Sequence, residues 1–149
     1  MTYSIQKIAP FDTYPVRHLV LRFGKPIETC HFNGDDLPTT HHFGYYLNGT
    51  LVGVISLFEI GNDHFSKQKS YQIRGMAVLS SHQKQGIGEA LVQKAEDFCL
   101  SQNATLIWFN ARTSAVGFYE KMGYVTIGSE FEITDVGPHF LMYKAVTKK

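Results

Sequence analysis

Residues 73–98 read IRGMAVLSSHQKQGIGEALVQKAEDF, and this stretch decides the fold. Its beginning belongs to the segment KSYQIRGMAVL over 69–79, which predicts a long β-strand, and Gly75 within the segment predicts a bulge. Over 86–102 the apolar residues recur at helical spacing, which predicts an amphipathic helix. A second apolar run over 105–109 predicts a strand that is covered on both faces. Together the three segments predict a right-handed β-α-β crossover.

The corner between this strand and helix, Gln83-Lys84-Gln85-Gly86-Ile87-Gly88, carries the most informative chemistry in the chain. Glycines let backbone N–H groups come close to a ligand, and the start of a helix adds unpaired N–H donors and a partial positive charge. This combination is typical of sites that bind a phosphate or a pyrophosphate. A glycine-rich helix entry without a ligand is the alternative interpretation of these six residues.

Two well-known phosphate motifs do not match the corner. A dinucleotide-binding fingerprint requires Gly or Ala at position 91, where this chain has Leu91. A P-loop requires the triplet Gly-Lys-Ser/Thr, which the sequence lacks. The corner therefore has to be interpreted together with the rest of the chain.

The length of 149 residues predicts one domain over 1–149. Asn48-Gly49 between two apolar runs is a strong hairpin signal. The predicted order is β-α-β-β-β-α-β-α-β-β, an α/β fold with a central mixed sheet of about seven strands flanked by helices. The remaining predicted segments are a strand over 2–8, a helix over 11–23, a loop over 24–40, hairpin strands over 41–47 and 51–60, a turn over 61–67, a short helix over 113–121 that Gly123 closes, and strands over 124–133 and 140–146.

Composition excludes several function classes. Fourteen Lys and Arg residues balance thirteen Asp and Glu residues, which argues against a nucleic-acid partner. No apolar run approaches the roughly 18 residues of a membrane span, and residues 1–10 lack a secretory signal pattern, so we expect a cytoplasmic protein without a membrane partner. Two cysteines are too few for a disulfide scaffold. Cys30-His31 and His41-His42 match no closed zinc pattern, so no metal is expected.

Residues 73–98, followed by LIWFNARTSAVGFYEKMGYVTIGSEF over 106–131, resemble the GNAT superfamily of N-acetyltransferases. The first stretch resembles the superfamily motif Gln/Arg-x-x-Gly-x-Gly/Ala through Gln83, Gly86 and Gly88. The second resembles the closing motif Ala-x-x-Phe-Tyr-Glu-Lys-x-Gly-Tyr/Phe, which begins here at Ala115. Asn110-Ala111-Arg112 and the late Gly-Pro-His-x-x-Met are similar to small bacterial or ElaA-like members.

The resemblance implies acetyl-coenzyme A as co-substrate. Backbone groups of Met76, Ala77 and Val78 would pair with its pantetheine arm in a splay of the sheet next to 105–109, and the N–H of Val78 would stabilise developing oxyanion charge. Many members carry an Asn seven residues before the motif Tyr, where this chain has Arg112. Asn110 or Arg112 would take that role, or Arg112 would contact a phosphate. The residues implied to wrap the pyrophosphate are Lys84, Gln85, Gly86, Ile87, Gly88 and Glu89.

The resemblance also implies direct attack of a primary amine on the thioester, with Tyr119 as the general acid that protonates the leaving thiolate. Glu59 is the first candidate for the base, acting directly or through water, and His82, Glu132 and His139 are further candidates. A non-catalytic acyl-coenzyme A-binding sensor or interaction module on the same fold is the alternative function.

The acceptor is a small-molecule or peptide amine whose identity stays open, and exposed edge strands near the C-terminus are candidates to pair two subunits in a homodimer. Glu28, Asp35 and Asp36, in the loop over 24–40, are candidates to attract a cationic amine, although a solvated loop with Asx turns explains them equally well. Trp108 and Phe109 are expected in the core.

Overall fold

A computed structural model describes residues 2–65 and 68–146 of the chain. The seven strands are β1 (Tyr3–Ile8), β2 (His41–Leu47), β3 (Thr50–Phe58), β4 (Ser70–Val78), β5 (Leu106–Arg112), β6 (Val125–Ile133) and β7 (Gly137–Ala145). The three α-helices are α1 (Tyr14–Leu21), α2 (Ile87–Ser101) and α3 (Val116–Glu120). Short 3-10 turns precede α1 and α3 and follow β4.

The strands form one mixed sheet in the order β1-β2-β3-β4-β5-β7-β6. β4 and β5 are parallel, with Ser70 opposite Leu106 and Gln72 opposite Trp108, as their connection through α2 requires. β1 with β2, β2 with β3, β5 with β7 and β6 with β7 pair antiparallel. The predicted fold class, a mixed sheet of seven strands with flanking helices, is confirmed.

The chain divides into two compact units, and the first comprises Met1–Glu59 and Ile73–Phe98. It holds the hairpin of β2 and β3, whose turn residues Asn48 and Gly49 both have positive φ, 49° and 84°. Two positive φ angles are what a type I′ turn needs, so the hairpin prediction is confirmed. Its core includes a cluster of Val16, Val54 and Ala77, which joins α1, β3 and β4.

The second unit comprises Ile60–Gln72 and Cys99–Lys149. Its core includes a cluster of Phe65, Leu106, Trp108 and Leu141, and the Trp108 indole N–H donates to the carbonyl of Ile60 at 2.8 Å. Trp108 and Phe109 are both buried, as expected for a strand with two covered faces. A separate aromatic cluster joins Phe109 to Tyr119 and Tyr124.

Helix α2 follows its predicted boundaries closely because its buried residues lie on one face. Ile87, Leu91, Ala95 and Cys99 are all buried, at intervals of four residues. Gly75 has a φ of 66° inside β4, a left-handed conformation that agrees with the predicted bulge. Among the described residues no helix is long and apolar enough to cross a membrane.

Several element boundaries, including those of β5, β7 and α1, differ from the sequence prediction. β5 continues to Arg112, three residues beyond the predicted 105–109, because β7 pairs with it along its whole length. β7 begins at Gly137 and not at 140, since its first residues pair with the end of β6. α1 is shorter than the predicted 11–23, because a 3-10 turn over Pro10–Thr13 takes the place of its first turn.

Candidate active site

The corner before α2 is an open backbone cradle in the first unit. Lys84 and Gly86 both adopt left-handed conformations, with φ of 63° and 84°. The side-chain amide of Gln83 donates to the carbonyl of Val78 at 3.0 Å and so holds the corner against the end of β4. A Cβ atom on Gly86 would meet no atom within 4 Å, which leaves this side of the corner accessible.

The electrostatics of this corner favour an anion. The first N–H groups of α2, at Ile87, Gly88 and Glu89, have no carbonyl partner within the helix, and the helix dipole adds positive potential there. Lys84 is exposed and adds a full positive charge, whereas the exposed Glu89 in the first turn opposes it. The corner is therefore chemically suited to a phosphate or diphosphate group.

The strand before the corner presents backbone from Met76 to Val78. Ala77 is buried in the first unit's core cluster, while Met76 and Val78 are half-buried. The N–H of Leu79 donates to the carbonyl of Val52 at 2.9 Å, which anchors the end of β4 to β3. The predicted pantetheine-binding backbone and the predicted pyrophosphate corner thus lie in the same unit, joined by the Gln83 hydrogen bond.

Tyr119 lies on α3 in the second unit and is only 8% exposed. Its ring packs against Phe109, with 4.4 Å between ring centroids, and against Phe118 at 5.0 Å. This burial raises the pKa of Tyr119 to about 12. The hydroxyl consequently stays protonated at neutral pH, as a general acid must, but it is a weaker acid than a free tyrosine.

Asn110 and Arg112 are exposed on β5 in the second unit. Their neighbours Phe109 and Ala111 are buried. This alternation is the period of a β-strand. Arg112 stands opposite His139 in the register of β5 with β7. Both side chains are accessible, so either one is sterically able to contact a ligand.

The candidates for the general base are divided between the two units. Glu59 follows the last residue of β3 and is exposed, and His82 lies in the turn after β4 with its Nδ1 2.8 Å from the hydroxyl of Ser81. In the second unit, His139 is buried with its Nδ1 2.7 Å from the carbonyl of Gly137, and Glu132 is exposed on β6. Their role as base stays a prediction.

The expectation that Asp35 attracts a cationic amine is wrong. Asp35 is buried and its carboxylate accepts two hydrogen bonds from the buried guanidinium of Arg17, at 2.6 and 3.1 Å. Burial acts to raise the pKa of Asp35, but the hydrogen bonds from Arg17 and from the N–H of Phe32 outweigh it and hold the pKa below its usual range. Glu28 is exposed, and the exposed Asp36 pairs with His31 at 2.8 Å.

Arg17 is a residue whose importance the sequence pattern did not reveal. It also donates to the carbonyl of Cys30 at 2.7 Å and to the hydroxyl of Ser56 at 2.9 Å. Ser56 in turn contacts Nδ1 of His42 at 2.6 Å. Apolar periodicity gave no signal for it, since Leu19 and Phe23 on the predicted apolar face of α1 are exposed, while Arg17 beside that face is buried. Within the described part of the chain, no group of three His, Cys, Asp or Glu residues is arranged to hold a metal ion.

A cleft of about 440 Å³ in the second unit was also not predicted. Gly128 has a φ of 79°, and the register of β6 with β7 shifts between Ile127 and Phe131, so that β6 bulges at this point. A glycine inside a predicted strand was the available signal. The cleft is lined by Asn62, Asp63, His64, Asn110, Ile127, Gly128, Ser129, Phe131 and Leu141.

Comparisons with known proteins agree with this architecture. An uncharacterized N-acetyltransferase of Bacillus subtilis (strain 168), YitI, is 32% identical over 143 residues, covering 96% of both chains. The crystal structure of a putative N-acetyltransferase from Lactobacillus plantarum superposes with a TM-score of 0.80 at 19% identity and covers 99% of this chain and 100% of its own. An aminoglycoside 6'-N-acetyltransferase complexed with coenzyme A superposes with a TM-score of 0.74 at 16% identity, covering 98% of each chain.

The structural likenesses establish the fold, while the family follows from sequence. The model of the acetyltransferase (GNAT) family matches residues 4–124, which include the glycine corner and the segment that ends at Tyr124. This match and the similarity to YitI over 96% of both chains rest on sequence alone, and the strand order of the structure agrees with them. The chain therefore belongs to the GNAT family of acetyltransferases.

Proposed function

We propose that this protein is an acetyl-coenzyme A-dependent N-acetyltransferase, which transfers the acetyl group to a primary amine by direct attack within a ternary complex. The observation that carries the proposal is the open corner before α2, with Lys84 and Gly86 in left-handed conformations, in a chain of the acetyltransferase family. A structural neighbour bound to coenzyme A supports the same ligand class.

In this proposal the corner residues Gln83–Glu89 bind the diphosphate through backbone N–H groups, and Lys84 neutralises part of its charge. The backbone of Met76, Ala77 and Val78 binds the pantetheine arm in the manner of an added strand. The Val78 N–H polarises the acetyl carbonyl. Binding both substrates at once supplies much of the rate through proximity. Asn110 and Arg112 remain the two candidates for a side-chain contact to the co-substrate.

Tyr119 is the proposed general acid, and its burial raises the free energy needed to transfer its proton. With a tyrosine pKa of about 12 and a free thiol near 8.5, proton transfer to a thiolate is uphill by about 5 kcal/mol in the unliganded protein. A hydrogen bond from the hydroxyl to the developing thiolate would lower this free energy of proton transfer. The alternative function, an acyl-coenzyme A-binding module without turnover, needs no acid at this position.

One pair of measurements separates these two functions. Calorimetry with acetyl-coenzyme A measures binding, and release of free thiol with a panel of amines measures turnover. For the enzyme we expect Tyr119→Phe to lower kcat by about 100-fold or more while the affinity for coenzyme A is retained. Tyr143→Phe is the matched control, because Tyr143 packs on Phe65 in a different cluster and should leave kcat unchanged.

Tight binding without turnover for any amine would favour the module. No heat of binding with acetyl-coenzyme A would refute both functions. Equal kcat for wild type and Tyr119→Phe would remove Tyr119 from the mechanism, and Glu59→Gln would then be compared in the same assay to find whether the base is correctly assigned.

A further inference from the structure

Arg74, on β4 of the first unit, is a guanidinium without an anionic partner. It is half-buried, and its Cζ atom lies 5.2 Å from the ring centroid of Phe32 and 5.1 Å from that of Phe58. Among residues 2–65 and 68–146, no group forms a hydrogen bond or an ion pair with it. Arginine keeps its charge in proteins, so this site holds a permanent cation between two aromatic rings.

Asp35, the acid whose charge acts on Arg74, does not pair with this cation. The carboxylate of Asp35 is taken up by two hydrogen bonds from Arg17 and one, at 2.8 Å, from the N–H of Phe32. Arg22 adds a further guanidinium 5.1 Å from the Phe32 ring. The cluster around Phe32 therefore carries more positive than negative charge. Burial together with the charges of Arg17 and Arg22 lowers the pKa of Arg74, which Asp35 only partly opposes.

The Phe32 ring beside this guanidinium is held in place by its neighbours. Arg17 lies 3.9 Å from the Phe32 ring centroid and is itself buried and hydrogen-bonded, so the ring is fixed by its neighbours. Gly75 brings the backbone of β4 so close that a Cβ there would lie 2.8 Å from Phe32. The planar guanidinium of Arg74 presents paired N–H donors, which match the two oxygens of a carboxylate better than an ammonium group does.

We propose that Arg74 binds a carboxylate and that the acceptor amine carries that carboxylate, as an amino acid or a peptide end does. The inference rests on the proposed function for the position of the reaction. Arg74 precedes Val78 by four residues on β4, which places their backbones at most about 13 Å apart, and a carboxylate on the Arg74 side chain therefore lies within the length of a small amine-bearing molecule of the acetyl-binding backbone. A carboxylate on the acyl group of the donor would use the same chemistry, and the test separates the two sources.

The test compares acceptors that differ in the carboxylate alone. A series of ω-amino acids of increasing length is assayed beside the corresponding amides, with acetyl- and with succinyl-coenzyme A as donors. We expect kcat/KM with acetyl-coenzyme A to be at least about tenfold higher for the acid of best length than for its amide. Arg74→Gln should abolish this preference mainly through KM, and Arg74→Lys should restore part of it.

Lys94→Gln is the matched control, because Lys94 also lies over an aromatic ring of the first unit, 5.7 Å from Phe43, and should leave the preference unchanged. Thermal unfolding and acetyl-coenzyme A affinity show whether each variant is folded. If Arg74 has only a structural role, Arg74→Gln will lower stability without changing the acid-to-amide ratio of kcat/KM, and that result would overturn the proposal. A preference for succinyl-coenzyme A that Arg74→Gln abolishes would overturn the assignment to the acceptor.

Equilibrium binding keeps this test independent of turnover. Calorimetric titration of the coenzyme A-saturated protein with the same acids and amides requires no reaction. Tighter binding of the acid in wild type and equal binding in Arg74→Gln would support the carboxylate site even if no amine is acetylated. Equal affinity of the wild-type protein for acid and amide would refute the carboxylate site. Absence of acetyl-coenzyme A binding by the wild-type protein would refute the proposed function instead.

Discussion

At the scale of single residues, the Arg17–Asp35 pair is a buried ion pair within a hydrogen-bond network of the first unit. Both side chains are fully buried, and the guanidinium also donates to the Cys30 carbonyl and the Ser56 hydroxyl. Removing one partner of a buried pair leaves the other charge without compensation, which costs far more than losing an exposed pair.

Asp35→Asn should therefore lower the free energy of unfolding by about 3–5 kcal/mol, measured by urea denaturation. Asp36→Asn is the matched control, since the His31–Asp36 pair is exposed and should change stability by less than about 1 kcal/mol. Similar unfolding midpoints for the two variants would show that Asp35 contributes no more to stability than the exposed Asp36.

At the scale of elements, the backbone conformation of the corner before α2 is what exposes its N–H groups to the proposed diphosphate. Gly86 has a φ of 84°, and space is open where a Cβ would stand. A side chain there would strain the backbone and shield the N–H groups that face the proposed diphosphate.

Gly86→Ala should weaken acetyl-coenzyme A binding about tenfold or more, measured by calorimetry, and lower stability by about 1–2 kcal/mol. Gly24→Ala is a close control, because Gly24 has a φ of 78° and equally open space but lies after α1, away from the corner. The two variants should lose similar stability, and the control should keep its affinity. A matching loss of affinity in both would contradict a direct role for the corner.

Helix α2 shows why elements of this kind can be predicted from sequence. Its residues 87, 91, 95 and 99 fall on one face, and their burial requires only that this face meets some apolar surface. The bulge of β6 at Gly128 could not be assigned in the same way, because the register shift depends on pairing with β7.

At the scale of the whole molecule, acid stability follows from buried titratable groups. Burial is the main cause that lowers the pKa of both His41 and His42, so their neutral forms are favoured in the folded protein. His42 Nε2 lies 3.0 Å from the carbonyl of Asp35, which only accepts, so Nε2 carries the proton and Nδ1 accepts from Ser56. A second proton would disrupt this arrangement.

The free energy of unfolding should therefore fall as the pH drops below about 6.5, where the unfolded chain takes up protons that the folded protein does not. Each imidazole contributes a slope of at most about 1.4 kcal/mol per pH unit, until the pH passes its lowered pKa in the folded state. The lowered pKa of Asp35 adds a further loss at more acidic pH.

Urea midpoints measured from neutral to acidic pH check this prediction, with His42→Gln as the variant that should show a flatter profile. Since His42→Gln also loses stability at neutral pH, the comparison is between slopes and not between absolute midpoints. A wild-type midpoint that stays constant or rises between pH 6.5 and 5 would contradict the assignment.

The sequence by itself determined the fold class, the family, the hairpin at Asn48-Gly49, the helix after Gly86 and the glycine corner as the proposed co-substrate site. These features follow from local signals, namely apolar periodicity, turn residues and a short motif, which act between neighbours in the chain. The division of roles between Asn110 and Arg112 and the identity of the base stay predictions, because they depend on how a ligand is oriented.

Only the tertiary structure decided that Asp35 is a buried partner of Arg17, that the region around Phe32 is cationic and not anionic, and that Arg74 has no anion among the described residues. The physical reason is that a charge acquires its role from its surroundings. Asp35 and Asp36 are adjacent in sequence, yet one is enclosed by α1, β3 and the loop before β2 while the other faces water. The positions of Asp35 and Asp36 in the sequence therefore could not predict which of them is buried.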